Sequence, residues 1–335
     1  MGHSMPLWMV RAGRHGEQEQ TAIDNGFVTI GWNELPNLSR IRTKDELKKI
    51  YNDVYPGEKK MTIANEVGQI WRFLKEINIG DLVALPLKTQ SAIAIGKVTG
   101  SYEYRKDFGD IIRHIRKVDW IRVDIPRTDF DQDLLYSLGA AMTVCQIRRN
   151  NAENRVKAMI SGKPIIRKRT IELGEVTDIE EFSKDLILKK IAQKFRGHEL
   201  ARLVEAVIRA QGYVTSRSEP GPDGGVDILA GSGPLGFDPP QICVQVKSFS
   251  SPVGVDVLRA LQGTMQSFKA EQGLLVSWGG FKRTVLEEAR RSFFTVRLWD
   301  SGALLDEILQ HYDQFPDDLK AELPLKRIWS PVLEE

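Results

Sequence analysis

The chain has 335 residues, of which 41% are hydrophobic and 27% are charged, and its formal net charge at pH 7 is +2. This length exceeds that of one ordinary hydrophobic core and predicts two globular domains. The nearly neutral charge does not by itself indicate nucleic-acid binding. The sequence contains no run of about 18 apolar residues and therefore predicts no membrane-spanning helix.

The amino terminus lacks the apolar segment of a signal peptide, and residues 1–4 resemble a tag remnant placed before Met5. The two cysteines, Cys145 and Cys243, lie in separate apolar stretches. This pattern excludes a zinc cluster of cysteines and is typical of proteins from a reducing compartment. We therefore expect a cytoplasmic protein without membrane attachment.

The first part of the chain, residues 5–150, alternates short strands with helices. Thr43 and Glu46 have the spacing of a capping box and predict a helix that begins there. A second helix is predicted over 64–75, where apolar residues recur at helical spacing. Strands are expected at 7–11, 27–32, 80–85, 93–98 and 114–120. Many short strands with few helices favour a small β-barrel or a strongly curved sheet.

The rest of the chain predicts a second domain, of the α/β class. Residues 151–189 are charged and predict a linker that contains a helix, and residues 316–335 are expected to form a tail. Between them, residues 190–315 alternate predicted helices (198–211, 255–269, 283–292) with predicted strands (213–216, 226–229, 242–247, 273–277, 295–299). This order predicts a mixed sheet flanked by helices.

Two predicted strands of the second domain carry polar side chains among apolar ones. Neighbouring side chains of a strand point to opposite faces. Asp227 is therefore expected opposite Val226 and Ile228, and Gln245 and Lys247 opposite the apolar residues of their own strand. A lysine within an apolar strand is costly unless it is paired or hydrated. The sequence thus predicts a carboxylate, an amide and an ammonium group on one face.

These three groups suit the hydrolysis of a phosphodiester bond. A hard cation prefers oxygen ligands, of which the protein supplies few. Asp227 offers a carboxylate, Gln245 an amide oxygen, and Val246 a backbone carbonyl as the third ligand. Lys247 can orient or deprotonate the attacking water and stabilise charge on the phosphoryl group. We therefore expect Mg²⁺, or alternatively Mn²⁺, as the cofactor.

The same residues resemble the catalytic core of the Mrr branch of the PD-(D/E)xK nuclease superfamily. Residues 221–228 are similar to that branch's glycine-rich hairpin with its essential aspartate. Residues 245–247 are similar to its Gln-x-Lys motif, in which glutamine replaces the commoner acid. Residues 274–281 resemble the family's next strand and loop. The resemblance covers residues 190–310 and implies the restriction-endonuclease-like fold and metal-dependent cleavage of DNA.

Two positions of this motif need a choice. Asp223 stands before two glycines, where aspartate is common in turns, so we assign the catalytic carboxylate to Asp227. The family also carries a glutamate on the preceding helix, and the position that matches it here is Ala201. Glu205 lies one turn further on the same helix face and is the candidate catalytic acid, whereas Glu199 does not share that face. The alternative is that Glu205 is a solvated surface residue.

The first domain resembles, more loosely, the PUA-like and EVE families of small barrels. The matching segments are 10–13, 30–32, 80–83, 95–98 and 114–120. Several such domains accept a flipped, modified base, which requires stacking and hydrogen bonds to its edge. The resemblance implies that Trp32, Trp71 and Trp120 form a modified-base pocket. Alternatively these rings fill the core, which is the simpler interpretation for Trp71 on an apolar helix face.

Two short basic runs flank the region between the predicted domains. Their members are Arg148, Arg149, Arg167, Lys168 and Arg169. Such side chains either contact DNA phosphates or form a solvated linker.

These features lead to one main hypothesis and two alternatives. The main hypothesis is a modification-dependent, type IV-like restriction endonuclease, in which the first domain recognises a modified base and the second cuts double-stranded DNA. One site per chain implies a homodimer, formed either in solution or on DNA. Alternatively, the first domain senses a small nucleotide signal in phage defence, or the chain is a non-catalytic DNA-binding protein.

Overall fold

The computed structural model describes residues 5–13, 15–139, 142–148, 151–161, 179–218 and 225–328. The chain divides into two compact units. The first contains the described residues up to 125 and from 130 to 182, and the second contains residues 126–129 and the described residues from 183 onward. No helix within these ranges is long and apolar enough to cross a membrane.

The first unit is built on a six-stranded mixed sheet. Its strands are β1 (Leu7–Val10), β2 (Phe27–Ile30), β3 (Leu82–Pro86), β4 (Ala92–Tyr104), β5 (His114–Pro126) and β6 (Val144–Ile147). The strand order is β2-β5-β4-β3-β1-β6, and β1 pairs with β3 in parallel and with β6 in antiparallel orientation. The five predicted strands are confirmed, whereas the PUA-like or EVE-like barrel stays a prediction.

Five α-helices accompany this sheet in the described part of the first unit. They are α1 (Glu19–Asp24), α2 (Lys44–Val54), α3 (Lys60–Trp71), α4 (Gln132–Leu138) and α5 (Ala152–Ile160). The predicted capping box is confirmed, because the Thr43 side chain accepts from the Glu46 N–H and the Glu46 side chain accepts from the Thr43 N–H. Ala152 and Val156 are buried in the core of this unit, so α5 packs there rather than lying in a linker.

The second predicted helix begins earlier than expected and ends in a different geometry. It starts at Lys60 and continues into a π-helical turn over Arg72–Glu76. The guanidinium of buried Arg116 donates to the carbonyls of Phe73 (2.6 Å) and Leu74 (2.9 Å) within this turn. Because these bonds satisfy carbonyls that regular helix geometry would leave without partners, a distant strand residue fixes the end of the helix.

The second unit confirms the predicted α/β class. Its strands are β7 (Val214–Arg217), β8 (Ile228–Ser232), β9 (Asp238–Lys247), β10 (Gln272–Ser277) and β11 (Val296–Trp299). Its helices, the first of which begins before the unit boundary, are α6 (Ile179–Lys194), α7 (His198–Ala210), α8 (Val255–Phe268), α9 (Arg283–Arg291), α10 (Ser301–His311) and α11 (Asp317–Glu322). Residues Leu319 and Leu323 are buried in its core, so α11 packs on the domain although it lies in the predicted tail.

The five strands lie in the order β11-β10-β9-β8-β7. Strand β8 is antiparallel to both of its neighbours, whereas β9, β10 and β11 are mutually parallel. Strand β7 therefore runs in the same direction as β9. As a result, the last residues of β7, β9 and β10 and the first residue of β8 all lie at one end of the sheet.

Helices cover both faces of this sheet. Ile228, Val244 and Val276 lie in a core with α7 and α10, and Cys243 and Leu275 lie in a second core with α8 and α9. Both faces are apolar along most of their length. Polar groups can therefore gather at the strand ends, where the helices no longer cover the sheet.

Two loops at this end of the sheet are joined to each other. The Val253 N–H donates to the Gly280 carbonyl (3.0 Å), and the Lys282 N–H donates to the Val253 carbonyl (3.0 Å). A Cβ atom on Gly279 would lie 2.5 Å from the backbone carbonyl carbon and oxygen of Ser250. Glycine at position 279 therefore permits the close approach of the loop after β10 to the loop after β9.

We expect Gly279→Ala to destabilise the second unit by about 1–3 kcal/mol, because the added methyl group meets backbone that cannot move aside freely. Gly263→Ala is the matched control, since Gly263 lies within α8 and a Cβ there meets nothing within 4 Å. Alanine is a better helix former, so this variant should be neutral or more stable by up to about 1 kcal/mol. Scanning calorimetry of the two variants measures both effects, and equal melting temperatures would contradict the proposed clash.

Candidate active site

Asp227 lies immediately before β8. Its N–H donates to the Val244 carbonyl (2.9 Å), and its carbonyl accepts from the Ser218 N–H (2.9 Å). Its side-chain Oδ2 accepts the N–H of Val246 at 2.7 Å. The carboxylate is therefore held against the peptide that joins Gln245 to Val246.

The strand alternation expected around Asp227 is wrong. Val226 is buried in the core under α8 and α9, whereas Ile228 is buried in the core under α7 and α10. These two residues therefore do not share a face. The physical reason is that Asp227 lies at a bend outside the regular strand, where the two-residue period does not apply.

Gln245 is buried, with 6% of its surface exposed. Its side chain lies on the α8 side of the sheet, like that of Cys243 two residues earlier, as the alternation along β9 predicts. Its Nε2 donates to the Gly225 carbonyl at 3.2 Å. Its Oε1 is buried and has no hydrogen-bond partner in the described part of the chain. Buried polar atoms are almost always satisfied, so this oxygen requires a ligand or water.

Lys247 is the last residue of β9, is aligned with Ser277 at the end of β10, and is partly exposed. Its carbonyl accepts from the Trp278 N–H at 2.8 Å, and the Ser277 hydroxyl donates to the Gly280 carbonyl at 2.8 Å. No described carboxylate forms an ion pair with Lys247. The backbone at this position is fixed, and the ammonium remains available to a substrate.

The donor atoms at this site fit a hard divalent cation. The Asp227 carboxylate, Gln245 Oε1 and the Val246 carbonyl are all oxygens, which Mg²⁺ and Mn²⁺ prefer. Within the described ranges, no group of three or more His, Cys, Asp or Glu side chains could hold a metal. A metal bound here would therefore take its remaining ligands from water and substrate, as Mg²⁺ commonly does.

Glu205 is buried on α7 and is already in contact with three polar side chains. Arg209 Nη2 lies 2.9 Å from Oε1, Arg217 Nε lies 3.1 Å from Oε2, and the Thr215 hydroxyl donates to Oε1 at 2.9 Å. Thr215 pairs with Ala230, whose side chain belongs to the core on the α7 side. Glu205 is thus held on the face opposite Gln245.

The described contacts consequently do not bring Glu205 together with the candidate metal ligands. Glu199, the other helix acid, is half exposed and forms an ion pair with Arg202 at 2.7 Å. Neither Glu205 nor Glu199 therefore takes the place of the family's helix glutamate. The matching residue in this chain is Ala201, whose side chain is buried in the core. The i,i+4 spacing of Glu205 and Arg209 allows their ion pair within α7, whereas the contact of Arg217 with Glu205 depends on how α7 packs against β7.

In the first unit, Trp32 is held by contacts at both its backbone and its ring. Its φ of 57° is uncommon for a residue other than glycine. Its carbonyl lies 3.2 Å from Nε2 of buried His114, and its indole N–H donates to Glu66 Oε2 at 2.5 Å. The hydroxyl of buried Tyr51 donates to the same oxygen. Burial raises the pKa of Tyr51, which keeps this hydroxyl protonated.

Glu66 is a candidate functional residue that the sequence reasoning missed. Both donors, the Trp32 indole and the Tyr51 hydroxyl, bind Oε2, and Oε1 accepts no hydrogen bond from the described residues. A signal was present in the sequence: Glu66 follows Ile63 and precedes Ile70 at helical spacing, so a carboxylate stands in the apolar stripe of α3. A charged residue in such a stripe needs a partner or a function.

Trp71 and Trp120 pack against the same apolar core as Trp32. The indole N–H of Trp120 donates to the Ala22 carbonyl at 3.3 Å, and its ring lies against Gly96. Trp71 lies at the end of α3. The contacts of these two rings are those of core residues, whereas Trp32 is bound to a side-chain carboxylate.

Of the predicted basic residues, one lies in the described part of the chain. Arg148 is exposed, and its Nε donates to Gln146 Oε1 at 2.6 Å. Arg149, Arg167, Lys168 and Arg169 lie outside the described residues. Their role in DNA binding stays a prediction.

Two family matches cover most of the chain. Residues 192–308 match the family described as Restriction endonuclease (Mrr_cat), which confirms the Mrr prediction for the second unit. The chain therefore carries a restriction endonuclease domain. Residues 8–146 match a domain of unknown function, DUF8426. No curated protein matches the chain.

Several solved structures are similar to the chain at low sequence identity. The DNA modification-dependent restriction endonuclease AspBHI has a TM-score of 0.35 at 13% identity, over 89% of this chain and 87% of that one. MspJI restriction endonuclease, in complex with a 27-mer oligonucleotide, has a TM-score of 0.33 at 16% identity, over 95% and 79%. A protein of unknown function, AF1548, has a TM-score of 0.23 at 15% identity, and the chain covers 58% of its length. Likenesses at these scores carry no functional inference.

The burial of His114 predicts a pH-dependent stability of the first unit. Burial lowers the pKa of His114 from its ordinary value of 6.5 to about 4. Between these values the unfolded chain binds a proton that the folded chain does not, so stability decreases as the pH falls from 7 to 5, by on the order of 2 kcal/mol.

Thermal unfolding of the wild type and of His114→Gln at pH 7 and pH 5 tests this prediction. The variant should lose the part of the pH dependence that His114 contributes, whatever its absolute stability. An identical pH dependence in both proteins would show that His114 is not the group responsible.

Proposed function

We propose that this chain is a modification-dependent restriction endonuclease, which hydrolyses phosphodiester bonds of double-stranded DNA with Mg²⁺ or Mn²⁺. The observation that carries the proposal is the convergence of Asp227, Gln245 and Lys247 at one end of the sheet, in the segment that matches the restriction endonuclease family. The buried, unsatisfied Oε1 of Gln245 supports metal binding there.

In this mechanism Asp227, Gln245 and the Val246 carbonyl would hold the metal. A bound divalent cation supplies Lewis-acid polarisation of the phosphoryl group. The Val246 N–H fixes the carboxylate and the Gly225 carbonyl fixes the amide, so both ligand oxygens are oriented before DNA binds. Lys247 orients the attacking water and stabilises the negative charge that develops on the phosphoryl oxygens.

We expect Asp227→Asn and Lys247→Ala each to slow single-turnover DNA cleavage by about 10²- to 10³-fold or more, because each removes a group that acts on the reacting phosphate. Gln245→Glu should cut within about tenfold of the wild type, since a carboxylate oxygen replaces the amide oxygen as a hard ligand. Gln245→Leu should be inactive, since it removes that ligand.

Cleavage is measured in Mg²⁺ on supercoiled plasmid, with melting temperatures as the control for folding. Unaltered cleavage by folded Lys247→Ala would overturn the assignment of the site. No cleavage by the wild type on any modified or unmodified DNA would favour the non-catalytic alternative.

The first unit is proposed to read the base through Trp32 and Glu66. A flipped base needs a surface for stacking and partners for its edge. The Trp32 ring offers the surface, and Glu66 Oε1 can accept from an exocyclic amino group, as carboxylates do from N4 of cytosine. The left-handed backbone of Trp32, pinned by His114 and Glu66, supports a functional role because strained residues concentrate at binding sites.

Digestion of plasmids that carry different cytosine or adenine modifications tests this role. We expect preferential cutting of one modified plasmid, and Trp32→Ala should reduce that preference at least roughly tenfold, because the stacking surface is lost. Trp71→Phe is the matched control and should keep the preference. Asp227→Ala serves as the blank without cleavage.

If modified and unmodified DNA are cut equally, the recognition proposal fails while the nuclease assignment stands. Cutting of unmodified DNA after addition of a small nucleotide would instead favour the sensor alternative.

The nuclease is proposed to act as a homodimer on DNA. Each chain carries one set of the residues Asp227, Gln245 and Lys247, and one such set hydrolyses one strand. Cutting both strands at one place therefore takes two chains, and two-fold symmetry is the common arrangement.

A further inference from the structure

A cavity of about 410 Å³ lies beside α7 in the second unit. Its volume falls within the range of small-ligand pockets. Five charged residues line it: Arg202, Glu205, Arg209, Arg217 and Asp318. The mechanism described above uses none of them.

The cavity is close to the candidate active site along the chain. Arg217 is the last residue of β7 and is paired with Ile228, and the next residue, Ser218, donates its N–H to the Asp227 carbonyl. Because β7 and β9 run in the same direction, Arg217 and Lys247 lie at the same end of the sheet. Arg217 projects on the α7 side and Lys247 on the α8 side, so a strand of DNA laid across this end would meet both.

The arginines of the cavity differ in how far their charge is neutralised. Arg202 lies within ion-pair distance of three acids, namely Glu199, Glu322 and Asp318. Arg209 and Arg217 share one carboxylate, that of Glu205. This pair of arginines therefore carries one positive charge in excess.

Arg217 also has unused hydrogen-bond donors. Its Nε lies 3.1 Å from Glu205 Oε2, and no described residue accepts a hydrogen bond from its two η nitrogens. Its side chain is 34% exposed. A guanidinium offers paired N–H groups that match the oxygens of a phosphate. Glu205 fixes the orientation of this group, since the carboxylate is itself buried and held by Thr215.

We propose that Arg209 and Arg217 form a phosphate-binding subsite for the DNA strand, next to the phosphate that is cut, and that Glu205 is the residue that positions both guanidinium groups. The inference rests on the proposed nuclease function. A free nucleotide offers the same phosphate chemistry, but the position of Arg217 beside the Asp227 hairpin favours a phosphate of bound DNA.

Duplex binding without metal tests the subsite independently of cleavage. Fluorescence anisotropy in EDTA should show that Arg217→Gln weakens binding roughly tenfold and reduces the slope of log K against log salt concentration by about 1. Arg290→Gln is the matched control, because exposed Arg290 lies in the last turn of α9, at the opposite end of the sheet. Unchanged affinity and slope for folded Arg217→Gln would overturn the proposal.

The positioning role of Glu205 is tested by a double-mutant cycle. Glu205→Gln should weaken duplex binding in the wild type but have no further effect in the Arg209→Gln/Arg217→Gln double variant, because both groups that it positions are then gone. Equal losses in both backgrounds would indicate a purely structural role and contradict the assignment of Glu205.

Two further measurements are needed. The first distinguishes a phosphate of DNA from a free phosphate or nucleotide, and the second distinguishes failure of the subsite proposal from failure of the nuclease proposal. Calorimetric titration of the wild type with inorganic phosphate or deoxycytidine monophosphate should show no binding that depends on Arg217. If Arg217→Gln abolishes binding of either compound but leaves duplex affinity unchanged, the site takes a free nucleotide and the DNA assignment fails. A wild type that never cuts, but whose duplex binding depends on Arg217, would refute the nuclease proposal and leave the subsite in place.

Discussion

The hydrogen bond from the Val246 N–H to Asp227 Oδ2, at 2.7 Å, is the contact on which the proposed active site of the second unit depends. It joins the start of β8 to the end of β9, and the Asp227 N–H to Val244 carbonyl bond keeps the two segments in register. A slip of one residue in this pairing would reverse the faces of all the strand's side chains. The carboxylate and the amide could then no longer meet at one strand end.

Much of this arrangement could be predicted because it depends on local patterns. The alternation along β9 correctly separates Gln245 from Val244, and the Thr43–Glu46 spacing correctly marks the start of α2. The face of Val226 could not be predicted, because strand periodicity ends where Asp227 leaves the regular strand.

Contacts between distant segments set the rest. Glu205 appears in the sequence as a helix acid near the site with Arg209 four residues later, and only the packing of α7 on β7 shows that Arg217 engages it as well. Arg116 likewise ends a helix 42 or 43 positions away in the chain. Tertiary interactions of this kind have no signature in the spacing of residues, because either partner is compatible with many others.

The two oxygens of Glu66 have unequal roles, since Trp32 and Tyr51 both donate to Oε2. In the proposed base-reading role, one atom belongs to the protein's own network and the other to the ligand. A glutamine at this position would turn its carbonyl oxygen toward the two donors and present its NH₂ group where the carboxylate presents an acceptor. One atom of residue 66 thus decides whether the first unit accepts or donates a hydrogen bond to the base. Exchanging that oxygen for an NH₂ group would change the preferred base edge from one with an amino group to one with a carbonyl group, and the Trp32 stacking surface would stay the same.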